Sequence, residues 1–341
     1  MLLPYLHRVS SREDLSVDDA HAAMLGILNG ESTVPQVAAF LVALRMKGET
    51  AAELTGFARA MREKSHRVEV SLDREPLLDT CGTGGDGACT FNISTIAAFV
   101  TAGAGVRVAK HGNRSISSRC GSADLLEALG VHILAEPQQV AEAIRTVGIG
   151  FLFAPAHHPA MKHAHPARLE LKMRTVFNLL GPLTNPAGAQ RQLIGAPSEH
   201  AAELMAGALA DLGTDRAFVV HGAGDLDEVS TVGPTMAFEV VSGLITKRLW
   251  EPEDFGVARA MLEDVQGGDV ARNVEIAKAV LDGAHGPHRD IVLVNAAAAL
   301  VAAGRAETLL DGVALGEESI DSGAAREKLR VLAEFTRART A

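Results

Sequence analysis

The sequence predicts an α/β protein in which a small all-helical domain precedes a large α/β domain with a mostly parallel sheet. Three observations carry that expectation. Up to about residue 70, apolar residues recur at helical spacing with no strand-like alternation. From about residue 75, short apolar runs alternate with helical stretches. Loops rich in glycine and hydrogen-bond donors follow two of those runs, at the strand ends where parallel sheets hold ligands. The expected division is 1–70 for the helical domain and 71–341 for the α/β domain.

The elements follow in order. Met24, Leu25, Ile27 and Leu28 form one helical stripe; Val37, Phe40, Leu41 and Leu44 form a second, with Pro35 in its first turn. Gly30 and Gly48 stand where helices stop. Thr50-Ala51-Ala52-Glu53 is a capping box opening a helix with Leu54, Phe57 and Met61. Pro76-Leu77-Leu78-Asp79-Thr80 reads as a buried strand and Ile93–Ala102 as a helix. Val106–Ala109 reads as a strand and Ala123–Leu129 as a helix. Val131–Leu134, Gly150–Phe153, Ala217–Val220 and Ile291–Val294 are the further strands expected.

Composition narrows the function classes. The 341 residues include 42 acidic and 32 basic side chains, a formal net charge of −10, with no Lys/Arg run. That excludes nonspecific nucleic-acid binding and a polybasic membrane patch, while leaving room for a local anion pocket. One Trp, one Tyr and eleven Phe supply few stacking platforms for single strands. An odd set of cysteines, Cys81, Cys89 and Cys120, fits a reducing compartment, and all three read as structural. Residues Met1–Arg8 lack the order of a signal peptide, and the apolar runs at Ile96–Val106 and Ile291–Ala303 are short for a membrane span. The expected location is cytoplasmic.

Four segments could carry chemistry. In Gly82-Thr83-Gly84-Gly85-Asp86-Gly87, directly after a strand, backbone N–H groups can crowd an anion unobstructed. The helix that opens at Asn92-Ile93-Ser94-Thr95 aims its positive end at the same place. A capped turn without ligand is the plain alternative. The second segment, Lys110-His111-Gly112-Asn113-Arg114-Ser115-Ile116-Ser117-Ser118, is rich in donors and poor in acceptors; Gly121-Ser122 then begins another helix. Two such loops suit a ligand with two phosphorylated ends, against the alternative of solvated polar loops.

The third, Asp225-Leu226-Asp227-Glu228, is either a solvated acidic turn or a magnesium site, since magnesium takes one or two carboxylates with waters and phosphates. The fourth, His157 to His165, invites zinc, but without a nearby Cys or a helical His-Glu-x-x-His its default is packing or a lid over substrate. Arg168, Lys172 and Arg174 follow, and one of the arginines could pair bidentately with a carboxylate ligand; spacing does not say which.

Together the segments resemble the anthranilate phosphoribosyltransferase family. The matching blocks are Gly82–Asp86, Asn92–Thr95, Lys110–Ser118 with Gly121–Asp124, His158–Met161, Arg174–Pro186, Leu226–Glu228 and Arg289–Ala297, in order over nearly the whole chain. The resemblance implies a fold of the nucleoside phosphorylase and phosphoribosyltransferase-like class, with helices from about 158–182 joining the small domain. It implies a homodimer through the helical part, and magnesium as two ions. The implied reaction moves phosphoribose from phosphoribosyl pyrophosphate to the amine of anthranilate, releasing pyrophosphate, in tryptophan biosynthesis. By position, Gly82, Gly85, Asp86, Thr90, Asn92, Ile93, Ser94 and Thr95 would surround the donor. So would Lys110, His111, Gly112, Asn113, Arg114, Ser115, Ile116, Ser117, Ser118 and Ser122. Ser94, Asp227 and Glu228 would hold magnesium; Gly82, Asn113 and Arg168 would contact anthranilate, Arg168 at its carboxylate.

No protein nucleophile is expected. Two positions depart from the family's pattern: Lys172 stands where glycine is usual, and Gly224-Asp225 reverses the usual order. The readings weighed against this one are a related phosphoribosyltransferase or pyrimidine nucleoside phosphorylase, a phosphate-binding module without activity, and a zinc hydrolase.

Overall fold

The computed structural model describes residues 2–72, 75–84, 87–115 and 119–338. Helices α1 (Leu3–Ser10), α2 (Val17–Leu28), α3 (Val34–Lys47) and α4 (Ala51–Glu63) come first. Their starts follow from local chemistry. Ser16 caps α2, Thr33 with Gln36 and Thr50 with Glu53 form reciprocal capping boxes on α3 and α4, and Gly48 at φ 91° ends α3. Glu53 is fully buried, and its carboxylate also takes the Leu15 N–H and the Lys47 ammonium, each at 3.0 Å. Burial of that charge is thereby compensated.

The α/β body is a seven-stranded sheet in the order β3-β2-β1-β4-β5-β6-β7. The strands are β1 (Leu77–Gly82), β2 (Arg107–Gly112), β3 (Ile149–Phe153), β4 (Arg191–Gly195), β5 (Arg216–Gly222), β6 (Thr235–Val241) and β7 (Leu244–Trp250). β1 to β5 are parallel; β6 and β7 add an antiparallel hairpin. Alternation along the strands divides the core. Leu78, Leu193, Phe218 and Val220 face α5 (Ile93–Gly103) and the C-terminal helices; Cys81, Ile194, Val219 and Val240 share a cluster with α1–α4 and with Ala164, Ala167 and Leu180. The chain runs outward from β1 through β2 to β3, then returns to place β4 on β1's other side. That reversal opens a crevice at the carboxyl ends of β1 and β4.

Two expected strands are absent. Val131–Leu134 is irregular, and Ile291–Val294 lies inside the helix Pro287–Ala302. That helix is buried from Ile291 to Ala302, so its apolar run shows no period and imitates a buried strand. β4 and the β6–β7 hairpin are additions to the expected set. Ser242 and Gly243, at φ 47° and 87°, make the tight turn such a hairpin needs. Among the described residues no helix is long and apolar enough to cross a membrane.

Candidate active site

The acidic turn, the glycine loop and the start of α5 meet in the crevice. Asp227 Oδ2 accepts the Gly84 N–H at 2.7 Å, Glu228 Oε1 accepts the Ser94 N–H at 3.1 Å, and Thr83 N–H reaches the Gly195 carbonyl at 3.0 Å. Asp227 and Glu228 are buried, at 8% and 9% exposure. Glycine permits the approach: a Cβ on Gly82 would lie 2.5 Å from Asp227 Oδ2, and one on Gly195 only 1.5 Å from the Asp227 carbonyl oxygen. Behind the turn, the buried Asn295 donates to the Val229 carbonyl and accepts its N–H, at 2.8 and 2.9 Å. Gly224 and Asp225, at φ 85° and 59°, both take left-handed backbone, a conformation aspartate tolerates better than most residues. The reversed pair is accommodated.

Lys110 lies beneath these groups, 3% exposed, its ammonium donating to the Thr80 carbonyl and to Ser94 Oγ at 3.5 Å. Beside it, Asp79 is fully buried and accepts the His111 N–H at 3.0 Å and Asn185 Nδ2 at 2.8 Å. Burial pushes the Asp79 carboxyl above its ordinary range, opposed by the nearby Lys110 charge. Asp79 and Asn185 anchor the root of the second loop, and both were missed as functional residues. Each is a lone polar residue in sequence, and they meet across 106 positions.

Asn92 does not cap α5 with its side chain; its amide reaches Cys120 O at 3.1 Å and accepts from Asn273 Nδ2 at 3.0 Å. Thr90 bridges to Gln266, Thr95 is buried, and the Ile93 side chain is in the core, its N–H bonded to the Phe91 carbonyl at 2.7 Å. In the second loop, Gly112 and Gly121 permit close packing, Ser122 Oγ bonds the Asn113 backbone, and Asp124 gathers the N–H groups of Ser115 and Gly121. Asn113 is exposed and Arg114 pairs with Asp124 and Glu127 at 2.8 and 2.9 Å. The remaining expected site residues, Gly85, Asp86, Ile116, Ser117 and Ser118, lie outside the described residues.

The arginines separate by environment. Arg174 donates to the Gly84 carbonyl at 2.8 Å. Arg168, half-buried on the helix His165–Leu171, stacks over the Phe177 ring at 5.2 Å and has no carboxylate partner among the described residues. Burial lowers its pKa from the usual arginine range. Lys172 ends that helix in left-handed backbone at φ 46°, ψ 36°. This is the conformation that favours glycine, so the family's pattern there has a steric cause.

The histidines do not converge. His157 bonds the His66 carbonyl at 3.2 Å, while His158 packs against His111 with ring centroids 5.4 Å apart. Burial pushes the His158 imidazole down to about 4 and that of His111 well below its ordinary value. Among the described residues no three or more His, Cys, Asp or Glu side chains form a metal cluster. The Cys81 and Cys120 thiols are buried and pushed up, Cys120 to about 11; Cys89 is exposed.

A helical bundle packed on a mostly parallel sheet, with donor-rich loops at a switch point, matches the two domains of a glycosyl transferase family. The family models described as "Glycosyl transferase family, a/b domain" and "Glycosyl transferase family, helical bundle domain" match residues 74–326 and 3–65. The anthranilate phosphoribosyltransferase of Solibacter usitatus is 66% identical over 338 residues, 99% of each chain. The crystal structure of anthranilate phosphoribosyltransferase from Thermus thermophilus superposes with TM-score 0.92 at 46% identity, covering 97% of this chain and 99% of that one. The Saccharomyces cerevisiae enzyme in complex with PRPP and Mg superposes with TM-score 0.90 at 31% identity, covering 99% and 98%. The same yeast protein in complex with 4-fluoroanthranilate gives 0.88 at 29%, again covering 99% and 98%. The chain belongs to the anthranilate phosphoribosyltransferase family of glycosyl transferases.

Proposed function

We propose that this chain transfers the 5-phosphoribosyl group from phosphoribosyl pyrophosphate to the amine of anthranilate. The products are N-(5-phosphoribosyl)anthranilate and pyrophosphate, and the reaction serves tryptophan biosynthesis. The observation that carries the reading is the junction of Asp227 with Gly84 and of Glu228 with Ser94. It holds an acidic pair against a glycine loop and a helix start in one crevice.

The residues present fit magnesium: the Asp227 and Glu228 carboxylates, the latter held by the Ser94 N–H, make with the Ser94 hydroxyl an all-oxygen set, and magnesium leaves its other positions to water and phosphate oxygens. Ser94, Asp227 and Glu228 are assigned to it, as two ions with the donor bound. When bound, magnesium offsets the negative charge that develops on departing pyrophosphate. The chain's own groups act on the same charge. Lys110 contributes a buried cation, and the start of α5 directs its backbone dipoles into the crevice.

The donor is assigned to Gly82, Gly85, Asp86, Thr90, Asn92, Ile93, Ser94 and Thr95, to 110–118 and to Ser122. Asn113, Gly82 and Arg168 face the acceptor. A guanidinium over an aromatic ring, with no carboxylate partner among the described residues, suits a bidentate carboxylate pair, which fixes the neighbouring amine for attack at the ribose carbon. That amine is neutral at ordinary pH and keeps its lone pair, so placement matters more than a strong base. As the bond to pyrophosphate breaks, the positive ribose is taken up by the amine nitrogen, which then releases a proton; no protein nucleophile takes part.

The division into 1–70 and 71–341, with the 158–182 helices joining the small domain, is part of the same reading, as are a homodimer through the helical part and a cytoplasmic location. Competition among acceptors tests the specificity. Anthranilate should be consumed with phosphoribosyl pyrophosphate and magnesium, while benzoate and pyrimidine bases are not. Turnover of a different aromatic acid or base alone would move the assignment to a related phosphoribosyltransferase; phosphorolysis of a pyrimidine nucleoside would move it to a phosphorylase.

A further inference from the structure

We infer that Arg174 is a positioning residue that ties the glycine loop to the segment carrying Arg168, so that donor and acceptor strengthen each other's binding. The inference rests on the function proposed above, and it concerns a side chain that does not touch either substrate in that reading.

The geometry is a strap with three fixed points. At one end the Arg174 guanidinium grips the glycine loop, donating to the Gly84 carbonyl at 2.8 Å and to Thr83 Oγ1 at 3.4 Å. In the middle, the Arg174 carbonyl accepts a hydrogen bond from the guanidinium of Arg45, on the exposed side of α3. At the other end, the helix His165–Leu171 carries Arg168 and stops at Lys172, whose left-handed backbone sets the direction in which the chain leaves. Beyond Arg174, the Thr175 N–H bonds Asn178 Oδ1 at 3.0 Å, and Thr175, Val176 and Phe177 are buried. The Phe177 ring is the one that Arg168 stacks upon.

The short segment 168–177 therefore contacts the proposed acceptor site through Arg168 and Phe177, and the proposed donor loop through Arg174. Gly84 is gripped from both sides: Asp227 takes its N–H and Arg174 donates to its carbonyl. A charged planar donor is suited to this task, because hydrogen bonds from ionised groups are stronger and better oriented than neutral ones. An acceptor that orders Arg168 settles the segment, and a settled segment holds the loop in the form that binds the donor. Linkage makes the effect reciprocal.

The test measures anthranilate affinity by calorimetry on the full chain, with and without magnesium pyrophosphate as an unreactive occupant of the donor site. In the parent, pyrophosphate should tighten anthranilate binding several-fold. In Arg174→Gln that coupling should fall to within about twofold of none, with anthranilate affinity for the otherwise empty protein unchanged. KM for phosphoribosyl pyrophosphate should rise about tenfold or more, the scale of a lost charge-assisted bond, with a smaller change in kcat. Arg45→Met, at an exposed position, should move both readouts in the same direction by less, and serves if Arg174→Gln does not fold. Coupling absent in the parent, or retained in full by both variants, would overturn the inference. A parent that turns over anthranilate while the variants keep parental coupling refutes this inference alone; a parent that binds neither ligand refutes the proposed function with it.

Discussion

Asp227 and Gly84 are joined by a 2.7 Å hydrogen bond across 143 positions of sequence. The bond makes the acidic turn after β5 and the glycine loop after β1 one unit, with the Asp227 carboxylate placed by the loop. Asp227→Asn keeps an oxygen for the Gly84 N–H and removes the charge. It should lower kcat/KM about 100-fold and raise the magnesium concentration needed for half-maximal rate, with little change in thermal midpoint. Steady-state kinetics over a magnesium titration checks both; parental activity in the variant would remove Asp227 from the metal assignment.

Close approach makes two glycines unequal. A Cβ on Gly195 meets the Asp227 carbonyl at 1.5 Å, so the backbone must move; on Gly82 it meets the carboxylate oxygen at 2.5 Å, and a side chain can turn aside. Gly195→Ala should cost stability at the upper end of about 1–3 kcal/mol. Gly82→Ala should cost less stability and more activity. Urea unfolding beside turnover separates the two effects, and equal behaviour would contradict it.

Lys172 supplies a stabilising change. Left-handed backbone costs a non-glycine residue about 1–2 kcal/mol, partly offset by the greater entropy glycine loses on folding. Lys172→Gly should therefore raise stability by about 0.5–1 kcal/mol. A lower denaturation midpoint in the variant would contradict the helix-end geometry.

The buried imidazoles make stability depend on pH in a defined direction. Burial holds His158 at about 4 in the folded chain, against an unfolded value near 6.5. Above the unfolded value both states are neutral and nothing changes. As pH falls below it, only the unfolded chain binds the proton, so stability falls until about pH 4, by about 3 kcal/mol in all. His111 acts in the same direction. Denaturant unfolding at pH 7 and pH 5 should show a smaller loss for His158→Gln than for the parent; equal losses would be inconsistent with a neutral buried ring.

Cys81 stands beside the glycine loop, yet its thiol is buried and pushed well above its ordinary value, so it is not a thiolate at neutral pH. Cys81→Ser should retain turnover within a few-fold. An inactive but folded Cys81→Ser variant, together with covalent labelling of Cys81, would bring a protein nucleophile into the reaction.

Features encoded locally were legible in the sequence. Thr50 opens a helix as its chemistry requires, and the two donor-rich loops stand at the ends of β1 and β2 where apolar runs give way to glycine. Long-range relationships were less so. Arg168 and Arg174 look alike in sequence; only folding puts one over Phe177 and the other on Gly84. Asp79 looks like a strand-end polar residue until Asn185 and the His111 N–H meet it. Ile291–Val294 misleads because a helix buried on every side loses the period that would reveal it.

The central claim is that this crevice joins a phosphoribosyl donor to anthranilate. Its direct test follows the loss of anthranilate fluorescence with phosphoribosyl pyrophosphate and magnesium, while counting the pyrophosphate released. One pyrophosphate per anthranilate consumed, a product of the mass of N-(5-phosphoribosyl)anthranilate, and loss of rate on chelating magnesium are the predicted results. Unchanged anthranilate fluorescence with folded protein and both substrates at saturation would contradict the account.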